Sequence, residues 1–161
     1  MNNGMIALKG IVDEDFVNYR VPSMTLMFPK CSFKCGGEYC QNSDLARAKT
    51  ISVSIDNLCK RYIHNHITKS VVFQGLEPFD SFTDLVKFVW ALRTTYVCLD
   101  DIVIYTGYNK DEISDEIEEL SKLACNIVVK YGRYLPDQEP HYDEVLGIKL
   151  ASDNQYAERI S

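Results

Sequence analysis

The sequence has no excess of positive charge, no long hydrophobic run and, beside its one cluster of cysteines, no fourth cysteine. Seventeen lysines and arginines stand against 23 aspartates and glutamates, a formal net charge of −6. Such a balance excludes non-specific binding to nucleic acid or to an anionic membrane, both of which need clustered positive charge; a specific protein partner stays open. The longest apolar runs, such as Ile102-Val103-Ile104-Tyr105, suit buried strands and fall far short of the roughly 20 residues that span a bilayer. The opening residues, Met1-Asn2-Asn3-Gly4, show no basic region followed by an apolar stretch, so the expected location is cytoplasmic. Internal repeats, low-complexity tracts and linkers are absent, and no Ser/His/Asp triad or general-base pair stands out.

What is present is enough apolar material for a core. The chain has 161 residues, 46% of them hydrophobic, which suits one domain over residues 1–161. Of six cysteines, three cluster at positions 31, 35 and 40, while Cys59, Cys98 and Cys125 are scattered through apolar stretches. In a reduced compartment a disulfide framework is not expected, and a cysteine cluster points to metal or catalysis. The scattered three read as small buried hydrophobes.

The pattern alternates strand and helix. Ser23 to Phe28 reads as a strand stopped by Pro29, and the cysteine loop follows. Ile55, Leu58, Cys59, Tyr62 and Ile63 share a helical face behind Ser54 as N-cap. Ser70 to Phe73 is a β-branched run. A helix starting near Asp80 or Ser81 has a core stripe of Phe82, Leu85, Val86, Val89 and Trp90. Ile102 to Thr106 reads as a strand, and Asp111 and Glu112 open a helix with acidic residues that suit its dipole. Ile113, Ile117, Leu120 and Leu123 give that helix its buried face. Asn126 to Lys130 is a further strand, a polar loop runs from Gly132 to Glu144, and a last strand is expected around Leu146 to Leu150. This order predicts an α/β fold with a mainly parallel sheet and right-handed crossovers. With room for four or five units against the roughly 250 residues of a closed eight-unit barrel, the expectation is an incomplete (βα) barrel, open on one side. Ligands in such sheets collect at the carboxyl ends of the strands, where the cysteine loop, Gln74 to Pro78, Thr106 to Tyr108 and Tyr131 to Arg133 all fall.

The cysteine motif is Cys31-Ser-Phe-Lys-Cys35-Gly-Gly-Glu-Tyr-Cys40-Gln-Asn42. Structural zinc sites take four protein ligands, and common iron–sulfur clusters take four cysteines. A local set of three leaves either a zinc site completed by His64, His66 or Cys59, or a four-iron cluster with one iron open to a substrate. A loop with fortuitous cysteines is the bland alternative.

Several segments together resemble the radical S-adenosylmethionine superfamily, and within it the activating proteins of anaerobic (class III) ribonucleotide reductase. The C-x3-C spacing of Cys31 and Cys35 matches, and Tyr39 precedes Cys40 as the family's aromatic; the second gap holds four residues where the family has two, with Gly36 and Gly37 able to take a bulge. Phe73-Gln-Gly-Leu-Glu-Pro-Phe79 is similar to the Gly-Gly-Glu/Asp-Pro segment, with Leu76 in place of a glycine. Tyr105-Thr-Gly-Tyr108, Gly132-Arg133-Tyr134 and Ser152-Asp-Asn154-Gln155 resemble three later family segments, in family order, with Tyr131 where an aspartate is frequent.

The resemblance implies a [4Fe–4S] cluster on Cys31, Cys35 and Cys40, with no catalytic side chain beyond the cluster. It implies S-adenosylmethionine held by Tyr39, Asn42, Gln74, Gly75, Glu77, Thr106, Lys130, Ser152 and Asn154, Glu77 holding the ammonium. The implied partners are the large glycyl-radical subunit of anaerobic ribonucleotide reductase and an electron donor such as flavodoxin or ferredoxin, with part of the docking rim in Gly132 to Glu144. Another small radical S-adenosylmethionine enzyme, or a non-enzymatic iron–sulfur or zinc module, is the alternative.

Overall fold

A computed structural model of the chain describes residues 4–32 and 43–161. Cys35, Tyr39, Cys40 and Asn42 therefore lie outside the described residues. In chain order the elements are β1 (Met5–Leu8), β2 (Gly10–Asp15), β3 (Ser23–Phe28), α1 (Ser43–Arg47), β4 (Ile51–Ser54), α2 (Ile55–His64), β5 (Ser70–Gly75), α3 (Phe82–Trp90), β6 (Asp101–Tyr105), α4 (Ser114–Leu123), β7 (Ile127–Tyr131), β8 (His141–Asp143), β9 (Ile148–Leu150) and β10 (Tyr156–Arg159). The main sheet has six strands in the order β10-β7-β6-β5-β3-β2. Its inner four are mutually parallel, and the edge strands β2 and β10 run antiparallel to their neighbours. β1 with β4 and β8 with β9 make two small antiparallel pairs. The fold is thus mixed α/β with a mainly parallel sheet, and the sheet is not closed into a barrel.

Side chains alternate across the inner strands, and both faces are covered. Phe73, Ile102, Ile104, Ile127 and Val129 join the larger core with α2, α3 and α4. Val72, Val103 and Val128 point the other way, into a smaller core with Tyr19, Leu146 and Leu150. Burial on both faces is why these strands read as unbroken apolar runs. Towards the carboxyl ends the second face turns polar: Met27 pairs with Gln74 and Tyr105 with Lys130. The site is built on that row.

The structure corrects several expectations. Trp90 is 52% exposed and Ile63 40% exposed. In α3 the buried residues are Leu85, Phe88 and Val89, and the helix runs on into a π turn, Ala91–Thr95, that buries Ala91 and Leu92. At about 100° per residue Trp90 falls about 140° round the helix from Leu85, off the buried stripe, while Phe88 meets Phe73 edge-to-face at 5.6 Å. Cys59 is fully buried as expected, but Cys98 is half-buried and Cys125 exposed. Leu146 to Leu150 does not extend the sheet: only Ile148–Leu150 is strand, in the hairpin with β8, and the sheet ends instead with β10. Buried Asp143 joins hairpin to sheet by accepting from Leu146 N and Ala157 N, each at 2.9 Å. Among the described residues no helix is long and apolar enough to cross a membrane.

Candidate functional site

A cavity of about 480 Å³ opens at the carboxyl ends of β3, β5, β6 and β7, where parallel α/β sheets gather ligands. Cys31, Gln74, Gly75, Glu77, Thr106 and Lys130 all line it. Of the expected site residues inside the described segments, these six converge. Ser152 and Asn154 do not reach its wall, although their neighbours Ala151 and Gln155 do.

Gly75 makes the close approach at its floor possible. Its φ is +101°, and a Cβ there would collide with Phe28 N and sit 2.8 Å from the Met27 carbonyl carbon. Such a backbone is open to glycine and costly for other residues. With β5 held this near, Leu76 N donates to Phe28 O at 3.1 Å and Glu77 N to Lys30 O at 2.8 Å, so the segment after β5 is stitched to the one leading into the cysteine loop.

Glu77 is 5% exposed. Its Oε1 accepts from Phe79 N (3.1 Å) and Thr106 Oγ1 (2.8 Å), and its Oε2 from Gly107 N (2.9 Å). A carboxylate has about four acceptor positions, so Oε2 retains room for one more donor. Burial pushes the Glu77 carboxyl above its usual range, against the opposing effect of those three donors.

Lys130 is buried on the same face. Its Nζ donates to Gly132 O at 3.0 Å and stands 5.7 Å from the centroid of the Tyr105 ring. One hydrogen bond leaves two of the three ammonium donors without an acceptor among the described residues. Burial lowers its pKa to about 8, partly countered by the negative Glu77.

The Ser152-Asp153-Asn154-Gln155 segment clamps the exit of β7. Gly132, at φ +100°, packs against Asn154. Asn154 Nδ2 donates to Arg133 O at 2.8 Å, Gln155 Nε2 to Gly132 O at 3.2 Å, and Leu135 N to Ser152 Oγ at 3.3 Å. These side chains fix the loop that carries the cavity wall. Arg133 forms a two-pronged pair with Glu112, both contacts 3.0 Å, and lies 5.7 Å from the Tyr108 ring centroid.

Of the cysteines, Cys31 is the one lining the cavity among the described residues. Burial pushes the Cys59 thiol up to about 12, and its side chain is sealed in the main core. His64 ends α2 on the way into the start of β5, whereas Cys31 follows the end of the parallel strand β3. A six-residue strand spans roughly 20 Å, so His64 and His66 are not placed to complete a zinc site with Cys31. A cysteine at the rim of this cavity, Cys31, suits an iron–sulfur ligand.

Tyr108 lines the cavity, and Asp80 stands behind its wall, bonded to two of the lining residues. Asp80 Oδ1 accepts from Tyr108 OH at 2.6 Å and Oδ2 from Ser32 N at 2.7 Å. In the sequence Asp80 reads as an acidic residue opening a helix, and its distance of three from Glu77 was the available signal. Tyr105 and Gln155, which also line the cavity, stand in the sequence within the Tyr105-Thr-Gly-Tyr108 and Ser152-Asp-Asn154-Gln155 segments.

A family model described as a 4Fe-4S single cluster domain matches residues 19–155. That span holds the three clustered cysteines, all four parallel strands and the 152–155 clamp. No curated protein matches the sequence.

Proposed function

The chain belongs to the 4Fe-4S single cluster domain family, and from that premise we propose that it is a radical S-adenosylmethionine activase. Its partner in this reading is the glycyl-radical subunit of an anaerobic ribonucleoside-triphosphate reductase, with a flavodoxin or ferredoxin as electron donor. The observation that carries the reading is the charge pattern of the cavity. Lys130 offers uncommitted N–H donors and Glu77 Oε2 an uncommitted acceptor position, both in the wall of one 480 Å³ space beside Cys31. An α-amino-carboxylate is the group that answers both, and the methionine end of S-adenosylmethionine is one.

Cys31, with Cys35 and Cys40, would hold the cluster, leaving one iron without a protein ligand. Glu77 receives the ammonium in a charge-assisted hydrogen bond, held still by Thr106, Gly107 and Phe79. Lys130 faces the carboxylate, and Gln74 and Gly75 line the floor. Tyr39 and Asn42 complete the set. The chemistry supplied by the bound pair is one-electron cleavage of the sulfur–C5′ bond, giving methionine and a 5′-deoxyadenosyl radical that takes a hydrogen atom from a glycine Cα of the partner. The chain itself orients and shields, as cofactor enzymes do.

The test is anaerobic reconstitution with iron and sulfide, reduction with dithionite, and measurement of 5′-deoxyadenosine from added S-adenosylmethionine. Electron paramagnetic resonance with the large reductase subunit present should then show a glycyl doublet. A loaded, reduced chain that releases no 5′-deoxyadenosine removes the activase reading.

A further inference from the structure

We infer that Asp80 is a positioning residue for the cysteine loop, its carboxylate extending the β3–β5 pairing beyond both strands and tying the backbone beside Cys31 to Tyr108. The inference rests on Cys31 being a cluster ligand, as proposed above. The bond from Glu77 N to Lys30 O sets Glu77 opposite Cys31, and continued parallel pairing would send the Ser32 N–H to the Glu77 carbonyl. That carbonyl is taken instead by Asp80 N at 3.1 Å, because Pro78 starts a tight turn, Pro78–Ser81, and the backbone leaves the ladder. The Asp80 side chain supplies the missing acceptor: Oδ2 receives Ser32 N at 2.7 Å.

The other oxygen fixes the rung in place. Oδ1 accepts from Tyr108 OH at 2.6 Å, and the same hydroxyl lies 3.2 Å from Ser32 Oγ. Tyr108 is anchored in turn, since Tyr108 N donates to Thr106 Oγ1 at 3.0 Å and Thr106 Oγ1 to Glu77 Oε1 at 2.8 Å. Burial and Asp80 push the tyrosine hydroxyl up to about 12, so it stays a donor at working pH. Asp80, Tyr108, Thr106 and Glu77 therefore form one chain of bonds from the cavity wall to the residue next to Cys31. No apolar or shape requirement explains the carboxylate, and an asparagine could make both ties: its carbonyl accepts from Ser32 N and its amide donates to the Tyr108 oxygen.

The test uses the full chain, reconstituted anaerobically, as wild type, Asp80→Ala, Asp80→Asn and Tyr108→Phe. Iron per chain, the rate of iron loss to a chelator and the electron paramagnetic resonance spectrum of the reduced cluster are read without S-adenosylmethionine. Asp80→Ala should lose iron about tenfold faster than wild type with an altered spectrum, Asp80→Asn should stay within about twofold, and Tyr108→Phe should fall between. Melting of the unreconstituted proteins accompanies these, and Tyr108→Phe, which keeps its ring, reads the network should Asp80→Ala fold poorly. Wild-type retention and spectra in both Asp80→Ala and Tyr108→Phe overturn the inference. So does an Asp80→Asn chain as leaky as Asp80→Ala. A chain that loads and retains its cluster in this pattern yet never cleaves S-adenosylmethionine overturns the activase reading alone, and the role of Asp80 stands.

Discussion

The Lys130 ammonium stands 5.7 Å from the centroid of the Tyr105 ring, in a pair that the sheet register sets side by side. Its one hydrogen bond among the described residues goes to Gly132 O. The fall from the ordinary 10.5 to about 8 corresponds to a cost on the order of 3 kcal/mol at neutral pH. Because the folded value is the lower one, the cost is present below pH 8 and fades as pH rises towards 10.5. Lys130→Met gives up the bond to Gly132 O, which Gln155 still serves, and should be more stable than wild type by about 2 kcal/mol at pH 7. Urea unfolding at pH 7 and pH 10 checks this: the gap should shrink at the higher pH. The variant should bind S-adenosylmethionine at least tenfold more weakly, on the scale of one charged hydrogen bond. A destabilised variant, or one that binds as wild type, contradicts this account of Lys130.

Gly75→Ala should cost about 3 kcal/mol, combining a positive-φ penalty with backbone displacement. The added Cβ meets backbone atoms of Met27 and Phe28, not a flexible side chain, so it can be relieved only by prising β5 from β3. Denaturant unfolding of the unreconstituted chain measures it. A loss under about 1 kcal/mol would mean that the strand ends separate easily.

Much of this was legible in the sequence. The four parallel strands were, because burial on both faces makes Val71-Val72-Phe73, Ile102-Val103-Ile104 and Ile127-Val128-Val129 continuously apolar. The edge strands were not. Gly10–Asp15 carries three acidic side chains in six residues, and Tyr156–Arg159 only one buried residue, so neither has an apolar signal. Gln74 and Glu77 were legible as cavity residues because they follow a strand's carboxyl end, whereas Lys130 came only from the family resemblance; all three line the cavity. Ser152 and Asn154 share a segment with the site, but Ser152 Oγ and Asn154 Nδ2 bond the backbone of Leu135 and Arg133, a distinction of direction that spacing does not carry. Asp80 was hidden because a helix-opening aspartate has an ordinary explanation, and its partners lie 28 and 48 residues away.

Glu77 makes stability and binding depend on pH in a definite sense. Its carboxyl is raised by burial, so the folded chain keeps this proton where the unfolded chain has released it. The associated stability is present below the unfolded value and is lost as pH rises through the folded one. The stability of wild type relative to Glu77→Gln should therefore fall as pH rises from acid towards neutral. A cationic group at Oε2 favours the ionised form, so binding S-adenosylmethionine should release protons across the same range. Calorimetry in two buffers of different ionisation enthalpy detects that release. Identical heats in both would show that Glu77 does not receive the ammonium.

The cysteines divide by environment. Cys31 borders the cavity, Cys59 is sealed in the main core, and Cys98 is half-buried at the opposite end of the sheet, two residues before Asp100. Cys31→Ala should abolish cluster loading, and Cys35→Ala and Cys40→Ala should do the same if the three act as one ligand set. Cys98→Ala should retain wild-type iron and the wild-type resonance signal. Cys59→Ala should also retain iron but lose about 1 kcal/mol, since it removes a packed sulfur from the core. Iron analysis and unfolding on the same five preparations separate ligand loss from core damage. Cluster loss in Cys98→Ala, or full loading in Cys31→Ala, would move the metal to the other end of the sheet and undo the assignment of the cavity.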